Sequence, residues 1–138
     1  MRILAVDPGS KRIGIAISDP SNTIANPLAV IHHVSRAIDA AQIAQIAADQ
    51  GAGLIIVGQA LDEDNLPTPA GRSAARFSQA IQLQTEIPVI LWDESGSTQA
   101  AQSARRDMGA TRKKRQGHLD EIAATVILQY YLDAKNPT

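Results

Sequence analysis

Apolar and polar positions change period along the chain, and each change marks an element. Ile3-Leu4-Ala5-Val6 and Ile13-Gly14-Ile15-Ala16-Ile17 are short runs rich in β-branched residues, joined by Asp7-Pro8-Gly9-Ser10. They read as the two strands of a hairpin, residues 2–6 and 13–18. Asp19-Pro20-Ser21-Asn22 is a turn sequence, and residues 23–31 give a third strand that Asn26-Pro27 makes irregular or places at an edge. From Ser35, a suitable N-cap, the period lengthens: Ala40, Ile43, Ala44 and Ala47 recur at helical spacing until Gly51 stops the helix. Leu54-Ile55-Ile56-Val57 is a continuous apolar run, the signature of a parallel strand buried on both faces. Thr68-Pro69 opens a second helix with Ala70, Ala74, Phe77 and Ile81 on one side. Residues 88–92 read as another buried parallel strand. Ser97 or Thr98 then caps a helix facing inward through Ala101, Ala104 and Met108, and residues 110–117 form a basic loop. The last helix starts near His118, with Ile122, Ala123, Val126, Ile127 and Tyr130 as its apolar stripe. A hairpin, a further strand and then alternating helices and parallel strands predict an α/β layer fold, a mixed sheet with helices on its faces.

Composition narrows what such a fold can do. The 138 residues, 44% of them hydrophobic, suit one domain over residues 1–138 with a core of Ile, Val, Leu and Ala. Aromatic residues are only 3%, which argues against single-strand recognition on stacked aromatic platforms. Without cysteine there are no disulfides, thiolate metal sites or cysteine nucleophiles. No signal peptide or membrane span is visible, so a cytoplasmic location is expected. The net charge of -1 gives no overall preference for nucleic acid. Six of the 13 basic residues, however, are Arg105, Arg106, Arg112, Lys113, Lys114 and Arg115, and local clustering of this kind is what a polyanion meets.

Three acids stand where the pattern does not ask for them. Asp7 ends the first strand, and a carboxylate there costs desolvation unless a cation, hydrogen bonds or water compensates it. Gly9 and Gly14 let another backbone or a phosphate approach, and Lys11 and Arg12 add positive charge. Asp93, followed by Glu94, ends the strand at 88–92. Asp120 lies in the first turn of the last helix, three and four residues before Ala123 and Ala124 and seven before Ile127, on the side that meets the sheet. A turn aspartate or a helix-dipole aspartate needs no function by itself. Together, at the carboxyl ends of parallel strands, where ligands bind in such sheets, they form a hard-oxygen set suited to Mg²⁺ or Mn²⁺ rather than zinc. Asp62, Glu63 and Asp64 read as a solvated loop, and Arg72 with Arg76 as either phosphate contacts or surface charge. His32 and His33 lack the spacing of a zinc motif and read as loop residues.

The run Asp7-Pro8-Gly9-Ser10-Lys11-Arg12-Ile13-Gly14-Ile15-Ala16-Ile17-Ser18-Asp19, the strand Ile55-Ile56-Val57-Gly58, the pair Asp93-Glu94 and Leu119-Asp120-Glu121-Ile122-Ala123-Ala124 resemble the YqgF family. These are ribonuclease H-like bacterial proteins described as pre-16S ribosomal RNA nucleases and as Holliday junction resolvase-like. The resemblance implies a ribonuclease H-like fold with a mixed five-stranded sheet and helices on both faces. It also implies a nuclease whose acids Asp7, Asp93 and Asp120, with Glu94 adjacent, hold Mg²⁺ or Mn²⁺. Lys11, Arg12, Arg112, Lys113, Lys114 and Arg115 would then hold the nucleic-acid backbone. The implied partners are structured RNA (pre-16S rRNA) or branched DNA and a ribosomal subunit precursor, met by a monomer or weak homodimer. Two departures stand out. Ser95-Gly96 replaces the family's Arg-Leu after the acids, and Gln59-Ala60-Leu61-Asp62-Glu63 replaces the usual Leu-Pro-Leu loop. Loss of the arginine leaves open a ribosome- or RNA-binding protein without catalysis. An ATP-binding reading, suggested by the Asp-x-Gly hairpin, would need a second domain.

Overall fold

Which face each strand residue takes decides where the helices sit. The structure, a computed structural model, describes residues 1–93 and 112–136, and for residues 112–121 the backbone alone. Strands β1 (Arg2–Pro8), β2 (Arg12–Ser18) and β3 (Ala25–His32) are followed by α1 (Arg36–Asp49), β4 (Ala52–Gln59), α2 (Pro69–Gln82), β5 (Val89–Asp93) and α3 (Arg112–Lys135). The five strands lie in the order β3-β2-β1-β4-β5. β1 pairs antiparallel with β2 and parallel with β4, β2 antiparallel with β3, and β4 parallel with β5. This is the mixed five-stranded sheet expected, and its first half is the meander that the hairpin announced.

Alternation along β1 sends Leu4 and Val6 to one face and Ala5 to the other. On the first face Leu4, Val6, Ile13, Ile15, Ile17, Ile55 and Val57 pack against α1 and α2 through Ile43, Ala47, Phe77 and Ile81. On the second, Ala5, Ala16 and Ile56 pack against Ala124, Ile127, Leu128, Tyr131 and Leu132 of α3. Each fully buried Ile or Leu here contributes about 1.5–3 kcal/mol. The alanines that β1 and β2 show to α3 leave room for that helix to approach closely.

Four sequence expectations shift, each for a local reason. Ala70 is exposed and Gly71 takes its place in the buried stripe of α2. A Cβ on Gly71 would stand 2.2 Å from the Ala60 carbonyl oxygen, so only glycine fits there. β5 is an edge strand, with Val89 buried but Ile90 and Asp93 exposed, and is not the doubly buried strand that its apolar run suggested. Residues 112–117 belong to α3 and are not a loop, because Arg and Lys are good helix formers and one interior glycine, Gly117, costs only about 1 kcal/mol. The buried face of α3 is turned by one residue from that expected, with Tyr131 at 7% exposure and Tyr130 at 46%. The helix expected between residues 97 and 109 lies outside the described residues.

The β2–β3 turn is a polar knot. Asp19 accepts from the backbone N–H groups of Ile24 (3.0 Å) and Thr23 (2.8 Å) and from the Ser21 hydroxyl (2.6 Å). These bonds, that of Ile24 foremost and then those of Ser21 and Thr23, hold its carboxyl well below the usual 3.8, at about 2. A depressed folded-state pKa adds stability that is whole above the unfolded value and is lost as pH falls through the folded one. The Asp19 carboxyl carbon is therefore expected to titrate by NMR near pH 2, and a midpoint at 3.8 would show the knot to be open.

Candidate active site

Asp7 is the penultimate residue of β1 and is half-buried. Alternation places it with Ala5 on the α3 side of the sheet, while Val6 and Pro8 belong to the α1/α2 side. It stands opposite Gly14, which puts no side chain beside the carboxylate. Arg12, Gly14 and Ala16 share that face of β2, so Arg12 is the cation that this strand presents on the Asp7 side. Lys11 is exposed in the turn, where its carbonyl accepts from His33 N–H at 2.9 Å.

The level of α3 follows from its polar tethers. The Gln129 side chain accepts from Ala25 N–H at 2.9 Å and donates to the Thr23 carbonyl at 3.0 Å, and Asn136 donates to the Asn22 carbonyl at 3.0 Å. Ala25 pairs with Ser18, whose hydroxyl accepts from Ile3 N–H at 2.8 Å. Gln129 therefore stands near the Ile3 end of β1, and the helix runs back toward Asp7. Nine helical residues from Gln129 to position 120 rise about 13 Å. Four strand residues from Ile3 to Asp7 also span about 13 Å. Position 120, on the same helical stripe as Ala124 and Ile127, thus stands level with Asp7 on the same side of the sheet. Arg112, Lys113, Lys114 and Arg115 open α3 another five to eight residues on, about 8–12 Å past that level.

Asp93 does not join them on that face. It pairs with Gln59, and Gln59 reaches to the α2 side, where its amide donates to the Gly71 carbonyl at 3.2 Å. Val89 and Leu91 lie on the same side, whereas Trp92 meets Tyr131 of α3 edge-on, with ring centroids 5.0 Å apart. Glu94, Arg105 and Arg106 lie outside the described residues. Among the described residues no three acids or histidines converge as a metal site.

Sequence reasoning missed one feature. Asp39 is 1% exposed within α1, with Oδ1 accepting from Val34 N–H at 3.0 Å and Oδ2 from His33 Nδ1 at 2.5 Å. His33 is accordingly no idle loop residue. The available signal was an acid at the head of the stripe Asp39, Ile43, Ala47, where the helical period calls for an apolar side chain.

The RuvX family model, described as "Holliday junction resolvase", matches residues 1–134. A Thermoanaerobacter pseudethanolicus protein named "Putative pre-16S rRNA nuclease" is 40% identical over 136 residues, 98% of each chain. One of the same name from Chloroflexus aggregans is 39% identical over 138 residues, 98% of this chain and 96% of its own. Among solved structures, Thermus thermophilus RuvC in complex with Holliday junction substrate superposes with a TM-score of 0.60 at 16% identity, over 100% of this chain and 97% of that one. The fowlpox virus Holliday junction resolvase gives 0.56 at 17% identity, over 97% and 99%. At such identities the two structures establish the ribonuclease H-like fold and nothing finer.

Proposed function

Because the chain belongs to the RuvX (YqgF) family, we propose that it is a metal-dependent nuclease that hydrolyses phosphodiester bonds in 5′-end maturation of pre-16S ribosomal RNA. The observation that supports this best is the shared level and face of Asp7 and position 120. Asp7 lies at a strand end outside both apolar clusters, and the backbone of position 120 is level with it. Their carboxylates are hard donors that fit Mg²⁺ or Mn²⁺. The third ligand is Glu94 or Asp93, and Glu94 is the better candidate because Asp93 shares the face of Gln59. A divalent ion bound there would supply acidification of the attacking water and neutralise charge on the leaving oxygen.

The other residues act as holders. Arg12, on the Asp7 face, orients the scissile phosphate, while Lys11 and the Arg112–Lys113–Lys114–Arg115 cluster hold flanking backbone. Phosphate contacts position a substrate without reading its sequence, so selection would be for shape. The family description favours one second reading, cleavage of branched DNA by the same residues. With either substrate the reading carries one domain over residues 1–138, acting in the cytoplasm as a monomer or weak homodimer. Among the described residues no helix is long and apolar enough to cross a membrane.

Mg²⁺-dependent cleavage of a labelled 16S precursor fragment, run beside a four-way DNA junction, tests this. Cleavage of the fragment supports the proposal, and cleavage of the junction alone moves the substrate to branched DNA. Salt-sensitive RNA binding with no product from either would leave a binding protein. Within an active enzyme, Glu94→Gln is expected to reduce the cleavage rate by at least about a hundredfold more than Asp93→Asn. Equal losses would place both acids at the metal.

A further inference from the structure

On the face of the sheet away from Asp7, a cavity of about 450 Å³ opens between the starts of α1 and α2. Its walls include Gly9 and Ser10 of the hairpin turn, His33 and Arg36 at the head of α1, and Ser73 and Phe77 of α2. We propose that this cavity binds a phosphate monoester, with a nucleoside 5′-monophosphate as the ligand class.

The chemistry of the lining carries the inference. Its uncommitted polar groups are donors: the Ser10 and Ser73 hydroxyls and the Arg36 guanidinium. They come from three separate elements, which suits a tetrahedral anion approached from several sides better than a planar carboxylate. The one carboxylate in the wall, Asp39, already accepts from His33 Nδ1 and Val34 N–H. That bond places the hydrogen of His33 on Nδ1 and leaves Nε2 as an acceptor for a ligand hydroxyl. His33 itself is 44% exposed, so the ring is within reach of solvent and ligand. Among the described residues no side chain is bonded to the Arg36 guanidinium. Ile13 and Phe77 supply an apolar floor against which a sugar or base can lie. A volume of this size is in the range of small-molecule sites, about 300–1,000 Å³. The inference stands apart from the nuclease assignment, since the cavity opens on the α1/α2 face of the sheet and Asp7 belongs to the α3 face.

The test is titration of the intact protein with adenosine 5′-monophosphate and with adenosine, followed by calorimetry and amide NMR shifts. The monophosphate is expected to bind at least about tenfold more tightly than adenosine, with the largest shifts at Gly9, Ser10 and Arg36. Arg36→Ala, at an exposed position, is expected to weaken it about tenfold, and His33→Gln to weaken it as well. Arg72→Ala, a cation of α2 outside the cavity, should leave it unchanged. A trinucleotide with a 5′-phosphate that displaces the monophosphate, where its 5′-hydroxyl form does not, would assign the site to strand ends. Failure of both to displace it would assign the site to the free nucleotide. Absence of monophosphate binding up to about 5 mM, equal affinity for adenosine, or indifference to Arg36→Ala would overturn the proposal.

Discussion

Asp7→Asn is expected to lower metal-dependent cleavage by about a thousandfold or more, which is about 4 kcal/mol of transition-state stabilisation. Asparagine keeps the shape of the side chain but removes the charge, and a neutral amide oxygen is a poor replacement for a carboxylate toward a hard divalent ion. The fold should tolerate the change. Asp7 is half-buried at a strand end and outside both apolar clusters, so the substitution removes no core contact. Single-turnover cleavage, thermal unfolding and RNA retention in metal-free buffer separate these quantities. The expected pattern is lost cleavage with melting temperature and retention nearly unchanged. Cleavage within tenfold of wild type would remove Asp7 from the chemistry.

The second large effect concerns the seat of α3. Leu128 is 0% exposed among Ala5, Ala16 and Ile56, and truncating it leaves a cavity between helix and sheet. Leu128→Ala is expected to cost about 2–5 kcal/mol, read as a lower urea midpoint at unchanged slope. Tyr130→Ala, two residues along and 46% exposed, is expected to cost within about 0.5 kcal/mol. The pair distinguishes the face observed here from the one that the bare apolar pattern suggests. Equal costs would mean that α3 is rotated, and position 120 would rotate with it.

Much of the architecture was legible in residue order. The hairpin, the edge strand with Asn26-Pro27, the α1 stripe and the Thr68-Pro69 start all read directly, because period and cap chemistry act locally. What failed depended on neighbours. The face of α3 is set by the alanines of β1 and β2, which no helical wheel contains. The place of β5 at an edge is set by topology, so its apolar run could not tell edge from centre. Gly71 replaces Ala70 in the buried stripe because of a single carbonyl, that of Ala60, eleven residues earlier. Asp7 stood out in sequence as an acid on a strand, and Asp120 as an acid on a buried stripe. Asp93 stood out equally, yet the period of two that governs strands gives it the α2 side. The His33–Asp39 pair was hidden because its partners are six residues apart and lie on either side of a helix cap.

In the proposed nuclease Asp7 and Asp120 share one divalent ion. Titrating the protein with Mn²⁺ and watching amide signals broaden reads this without any substrate. Broadening at substoichiometric Mn²⁺ centred on Asp7, Gly14 and Asp120, and lost in Asp7→Asn, is the predicted result. Broadening centred on Asp62, Glu63 and Asp64, or unchanged in Asp7→Asn, would contradict it.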